Sequence, residues 1–464
     1  MDSFKMTNWN PHQEEAPNYR AYSASDLTKL PQLERLDQDA RFAMQVVSHV
    51  LPFKSNNYVV ENLIDWDDPR DPIYQLTFPQ RGMLNDRHFA RMADAVRSVD
   101  VQRIKLTSNE IRHELNPHPA GQKTFNTPRL EDGTRLEGMQ HKYRQTVLFF
   151  ASQGQTCHAY CTFCFRWPQF VALDGLKFAM KEADQLVQYL REHEEVTDVL
   201  FTGGDPMVMR TKFFRAYVEA ILKADDLPHI RTIRIGTKAI SYWPYRFINE
   251  ADSRELMDLF RAVVRSGRQL AVMAHVNHPA ELNTSAARLA VKRIRETGAM
   301  IRTQSPLMRH INDTPGIWAS MWQRQLTLGM VPYYMFLARD TGAQDYFAMP
   351  LARAYEIYSS AIRMVGGLGR TVRGPSMSCT PGKVAVDGIS RIHGEKVFIL
   401  RMLQGRNPDW AYKPFFAKYD PSAIWLDDLE PAFGEDRFFF ERDTEWPASE
   451  CDGNLDSDLD EVSG

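Results

Sequence analysis

Three cysteines, Cys157, Cys161 and Cys164, stand at offsets 0, 4 and 7 in a chain of 464 residues that holds five cysteines in all. Thiolates are soft ligands that select iron–sulfur clusters, zinc or copper. A cluster that only transfers electrons is held by four of them. Three leave one metal position open, and an open position is where a substrate or cofactor binds. The spacing therefore points to chemistry at a metal. Two plainer readings stand beside it. Offsets of 0, 4 and 7 also align on one helical face, although Thr162, Phe163 and Phe165 lower helix propensity and Pro168 follows closely. A zinc ion completed by His158 is the other.

The elements that must position these thiols can be read around them. Short apolar runs at 146–151, 198–202, 232–235, 270–275, 300–303 and 333–337 predict buried strands. Helical stretches at 176–191, 212–222, 253–266 and 280–297 lie between them. Strands alternating with helices of this length predict parallel βα units. Six such units fit an open or partial (β/α)6 barrel, so the fold class is α/β. The cysteine loop directly follows the first strand, and in such barrels the loops after the strands build the site.

Residues 1–30 read as a loosely ordered lead-in. A helical region over 31–140 follows, with helices predicted at 33–50 and 86–99. The barrel spans 141–345. A C-terminal α+β extension over 346–442 comprises a helix at 351–364, a loop at 373–383 and a hairpin of 384–386 with 397–400 around His393-Gly394. The acidic stretch 443–464 reads as a disordered tail.

The net charge of −3 gives no reason to expect nucleic acid. No run reaches the roughly 18 apolar residues of a membrane span. The polar N-terminus lacks a signal-peptide core. With an odd cysteine count, these features predict a cytoplasmic protein without a disulfide framework.

Further polar groups close the predicted strands. Gly203-Gly204-Asp205 follows the second: a glycine pair lets backbone approach a ligand closely, and a carboxylate can pair with an ammonium. An ordinary turn explains the same residues. His275-Val276-Asn277-His278-Pro279 ends the fourth, where capping accounts for His278 at least as well as metal binding. Gln304-Ser305 closes the fifth.

The CxxxCxxC spacing with an aromatic before the last cysteine resembles the radical S-adenosylmethionine (SAM) enzymes. The order of segments resembles one family of them: Lys142-Tyr143, the cysteine loop with Arg166, Gly203-Gly204-Asp205, Ile235-Gly236-Thr237, His275-x-Asn277-His278-Pro279, Gln304-Ser305, Pro332-Tyr333-Tyr334 and Pro381-Gly382-Lys383 are similar to the lysine 2,3-aminomutase family, over residues 70–390. The resemblance implies a radical SAM barrel that moves an amino group between the α and β carbons of a free amino acid. It implies a [4Fe-4S] cluster on Cys157, Cys161 and Cys164, and SAM bound by Phe163, Gly203, Gly204, Asp205, His275 and Gln304. It also implies pyridoxal 5'-phosphate (PLP) held as a Schiff base by Lys383, with Lys142, Tyr143 and Tyr333 around it. Arg166 would grip the substrate α-carboxylate, its planar fork matching that group. A reducing partner such as flavodoxin or ferredoxin is implied as well, and a homo-oligomer is compatible. The family's C-terminal zinc-binding cysteines are absent, since only Cys379 and Cys451 remain.

The chain departs from the family at the substrate positions. Arg339 and Ser376 stand where lysine-specific members place aspartates for the distal ammonium. A cation and a hydroxyl suit a carboxylate instead, so the expected substrate is glutamate or another polar amino acid rather than lysine. Asp340, next to Arg339, would restore one acid after a one-residue shift. The family's second phosphate-binding arginine is replaced by Thr146, which keeps open a PLP-independent radical enzyme. A zinc-stabilised binding protein without turnover is the third reading.

Overall fold

The computed structural model describes residues 17–173 and 175–442. Residues 1–16 of the lead-in and the acidic stretch 443–464 lie outside the described residues. Two short strands, β1 (Ala21–Ser23) and β2 (Lys54–Asn56), pair antiparallel. Ordered structure thus begins ahead of Pro31, because Tyr22, Leu27 and Leu30 are buried.

One 11-stranded sheet dominates the protein, with neighbours in chain order throughout. Its strands are β3 (Met139–Tyr143), β4 (Thr146–Phe150), β5 (Asp198–Thr202), β6 (Thr232–Thr237), β7 (Gln269–His275), β8 (Met300–Leu307), β9 (Val331–Leu337), β10 (Arg373–Ser378), β11 (Gly382–Ile392), β12 (Glu395–Gly405) and β13 (Pro414–Lys418). From β4 to β10 every pairing is parallel. β3 flanks this run antiparallel on one side, and β11 to β13 continue it antiparallel on the other.

The six expected strands are β4 to β9. The segment expected to be a loop at 373–383 instead contains β10. Its sequence, with Gly374, Pro375 and two serines, has no apolar alternation. Pairing with β9 and β11 after the crossover helix Leu351–Arg363 makes it a strand. The helix expected over 176–191 starts only at Ala183. Met180 is held extended, its N–H donating to Phe150 O and its carbonyl accepting from Ser152 N. The helix expected from Leu33 begins at Gln38, where the Asp37 carboxylate accepts from Ala40 N. A further helix, Val101–Glu114, is started by Asp100 in the same way.

Burial alternates along the parallel strands. Val147, Phe149, Val199, Phe201, Ile233 and Ile235 are buried against the helices, where Leu186, Leu190, Phe214, Val218, Leu256 and Phe260 meet them in one core. Burying each such side chain contributes about 1.5–3 kcal/mol. The opposite face carries Thr146, Asp198, Arg234, Arg302 and Gln304, all partly exposed. Because side chains alternate with period two, the same strands that make the core present charges to an open interior. Among the described residues no helix is long and apolar enough to cross a membrane.

Candidate active site at the ends of the parallel strands

β4 ends at Phe150, and the turn Ser152–Gly154 leads into the cysteine loop. Residues 155–166 contain no helix, so the three thiols do not share a helical face. All three are partly exposed. Burial pushes the Cys157 thiol well above its usual value and Cys161 up to about 12, and the neighbouring thiols add to both shifts. Three thiols that resist ionisation together are stabilised when a cation replaces their protons. Among the described residues, no three His, Cys, Asp or Glu side chains are arranged to hold one metal ion. A single zinc would need its sulfurs about 2.3 Å from one centre, whereas ligands of a cluster each bind a different iron and spread wider. His158 is buried, which lowers its pKa to about 3, and it packs edge-on against Tyr19.

The glycine pair serves the cysteine loop. A Cβ on Gly204 would fall 2.4 Å from the Thr156 carbonyl oxygen, so only glycine lets the two backbones meet. Asp205 N–H donates to that same carbonyl at 2.7 Å. The Asp205 carboxylate accepts from Thr237 Oγ1 at 2.7 Å, Lys238 N at 2.8 Å and Met207 N at 2.9 Å. Burial raises its pKa to about 6 against these hydrogen bonds. Gly203, Gly204 and Asp205 thus lock the loop after β5 onto the cysteine loop.

His275 and Gln304, in register on β7 and β8, lie 2.7 Å apart through His275 Nε2 and the Gln304 amide nitrogen. Burial keeps His275 neutral, with a pKa near 3, so its Nε2 accepts and the amide donates. Below them is a buried network absent from the sequence reading. Lys238 Nζ donates to Glu281 Oε2 and Asn277 Oδ1, both at 2.6 Å, and lies 4.4 Å from the Tyr242 ring centroid. Cys161 Sγ approaches Tyr242 Oη at 3.6 Å. His278 caps the next turn, its Nδ1 accepting from Ala280 N. Phe163 is partly buried and meets Phe347 edge-on.

Lys383, on β11, projects among the rings of Tyr334 (4.2 Å), Phe336 (5.4 Å) and Tyr143 (5.8 Å). Burial lowers its pKa to about 7, helped by Arg234 and Arg373. An amine that is half neutral at neutral pH can attack an aldehyde. Tyr334 is the ring of this pair that meets the amine, while Tyr333 packs against Tyr334 at 4.4 Å and lies under Arg373 and Arg302. Lys142 donates to the Cys379 carbonyl, and burial draws its pKa far down. Arg406, from the end of β12, reaches the same place: its Nε donates to Thr380 O at 2.9 Å, and its charge is felt by Lys142 and Tyr143. Thr146 is engaged by Arg234 at 3.1 Å, so Arg406 is the second cation here. Reactive amine, flat rings and paired cations are a donor set that fits PLP.

Arg166 lies over the Phe150 ring at 4.1 Å. Burial lowers its pKa to about 10, with Arg339 as the repelling neighbour, so it stays charged. Arg339 Nε contacts Asp340 at 3.3 Å, and its Nη2 is buried with no hydrogen-bond partner among the described residues. Both guanidinium groups lie over the Phe165 ring, each 5.3 Å from its centroid. Ser376 does not join them: fully buried, its hydroxyl donates to Met335 O at 3.4 Å.

No family model matches the chain. By sequence it is 29% identical over 404 residues to a protein of Aquifex aeolicus (strain VF5) named "Putative L-lysine 2,3-aminomutase", covering 87% of this chain and 94% of that one. It is 25% identical to the L-lysine 2,3-aminomutase of Haemophilus influenzae over 52% of this chain and 68% of that one. The L-lysine 2,3-aminomutase of Bacillus subtilis is 22% identical over 72% of this chain and 61% of its own length. Among solved structures, Streptococcus suis SuiB bound to precursor peptide SuiA aligns with a TM-score of 0.33 at 11% identity, over 58% of this chain and 50% of that one, too distant to bear on the fold. By its sequence, the chain is similar to the lysine 2,3-aminomutases.

Proposed function

We propose that this chain is a radical SAM, PLP-dependent 2,3-aminomutase acting on a free amino acid whose side chain ends in a carboxylate, glutamate being the first candidate. The observation that carries this is a continuous line of charged groups. Cys164 is felt by Arg166, Arg166 by Arg339, Arg339 by Lys142, and Lys142 by Lys383. Arg166 and Arg339 both lie over the ring of Phe165, next to Cys164, which supports a reading in which two guanidinium groups stand between the thiols and the reactive lysine.

Seven parallel strands in chain order, one face on helices and the other open, support a partial (β/α) barrel around these groups. Cys157, Cys161 and Cys164 would hold the cluster, and Lys383, Lys142, Tyr143 and Arg406 would hold PLP. When bound, the cluster with SAM supplies a hydrogen-abstracting radical and PLP carries the migrating nitrogen. Arg166 orients the α-carboxylate, and Arg339 Nη2 takes the distal one. The partner is a one-electron donor of the flavodoxin or ferredoxin class.

Anaerobic reconstitution with iron and sulfide, followed by reduction and incubation with single amino acids, tests the reading. 5′-Deoxyadenosine and a β-amino isomer should rise together with glutamate and not with lysine. Equal turnover of glutamate by the wild type and by Arg339→Asp would remove the substrate assignment. 5′-Deoxyadenosine without any isomer would remove the aminomutase.

A further inference from the structure

The loop that carries the cysteines is held from outside the sheet by the N-terminal extension. Tyr19 Oη and Asn56 Nδ2 both donate to the His158 carbonyl, at 2.7 and 3.1 Å. Tyr160 N donates to Lys54 O at 2.7 Å, and Thr162 N to Leu76 O at 2.9 Å. Thr162 Oγ1 adds a bond to Gln75 O at 2.9 Å. Between these, Lys54 Nζ donates to the Cys157 carbonyl at 2.7 Å and to Thr156 Oγ1 at 3.2 Å.

Lys54 differs from the other braces in bringing a charge. Its ammonium is partly buried, and its two hydrogen-bond partners are neutral. No ion pair among the described residues includes it. A cation removed from water without a counter-charge is costly. The ammonium is fixed beside a ligand residue, 2.7 Å from the Cys157 carbonyl oxygen, where an anionic group on Cys157 would act on it. An anionic assembly ligated by Cys157 would supply the compensating charge.

We infer that Lys54 is a positioning residue that seats the cysteine loop and, through its fixed charge beside Cys157, favours the reduced form of the cluster bound there. This rests on the reading that the three thiols hold an iron–sulfur cluster. Reduction takes one electron from an external one-electron donor and makes the site one charge more negative. A fixed cation then stabilises the reduced state more than the oxidised one. The N-terminal extension is thus part of the radical site rather than a separate appendage.

The test is an EPR-monitored redox titration of the reconstituted full chain, beside Lys54→Met, Lys54→Gln and Lys54→Arg, with iron and sulfide measured for each. Gln keeps a hydrogen-bond donor without the charge, and Arg keeps both. The expected result is a reduced-to-oxidised ratio about tenfold lower at fixed potential in the Met and Gln variants, which for one electron is 59 mV. The Arg variant should stay within about twofold of wild type. Unchanged midpoints in Met and Gln chains that carry full cluster overturn the inference, as does loss of cluster from Met and Gln alike, which would make the charge a loading requirement. A wild-type chain with a cluster but no aminomutase activity removes the proposed reaction and leaves this inference standing. A wild-type chain that assembles no cluster overturns both.

Discussion

Lys383 Nζ lies 4.2 Å from the centroid of the Tyr334 ring and 3.1 Å from Gln404 Oε1. A half-buried lysine that meets an amide and aromatic faces, with Arg234 and Arg373 repelling its charge, favours its neutral form, and its pKa falls from 10.5 to about 7.

PLP capture by the chain, trapped with borohydride, should accordingly rise with pH around a midpoint near 7 rather than near 10.5. Lys383→Ala should trap none. The sign for stability follows from the same shift. Between about pH 7 and 10.5 the unfolded chain holds more protons than the folded one, so stability rises with pH in that window. Lys383→Met should flatten that slope in urea unfolding measured across the window; an unaltered slope would contradict the burial of this amine.

The three cysteines of the loop are expected to act as a set. Cys157→Ala, Cys161→Ala and Cys164→Ala should each lose most of the iron and acid-labile sulfide retained by wild type. Cys379→Ala should keep both, since its buried thiol stands beside Lys142 and not in the loop. Iron analysis after anaerobic reconstitution decides between these.

Arg339 Nη2 is a buried donor with no hydrogen-bond partner among the described residues. A charge-assisted hydrogen bond contributes about 1.5–3 kcal/mol. Arg339→Gln should therefore raise KM for a dicarboxylic amino acid roughly 10- to 100-fold, with a smaller effect on amino acids lacking the second carboxylate. Steady-state rates on glutamate and alanine would expose an equal effect on both.

Gly204→Ala places a methyl 2.4 Å from the Thr156 carbonyl oxygen, where two backbones would have to part. A loss of about 1–3 kcal/mol of stability is expected, with poorer cluster loading. Gly366→Ala, whose methyl would meet nothing within 4 Å, should stay within about 0.5 kcal/mol of wild type. Urea midpoints and iron content measured together check both.

Glu281 is fully buried and paired with Lys238 at 2.6 Å. Glu281→Gln should cost about 3–5 kcal/mol, because it leaves the lysine's charge uncompensated. A shift of the urea midpoint equivalent to less than about 1 kcal/mol would mean that the pair is solvated.

The sequence alone determined the parallel framework and the metal-binding loop. Apolar runs and helical periods depend on neighbours a few residues apart, so β4 to β9 and most of their helices were readable at nearly their true bounds. The thiol spacing is local too, and so is Lys383 after its Pro-Gly turn. Tertiary structure decided what depends on distant partners. β10 is a strand only because β9 and β11 pair with it, and Ser376 is spent inside that pairing. Tyr334 is the ring that meets Lys383, with Tyr333 packed against it where the register of β9 shifts. Arg406 and Lys54 carry no local signal at all. They reach the site from 264 residues beyond Lys142 and 103 before Cys157, brought there by the closing hairpin and by the N-terminal brace. Spacing can announce a ligand set within one loop, but only packing can say which remote charges surround it.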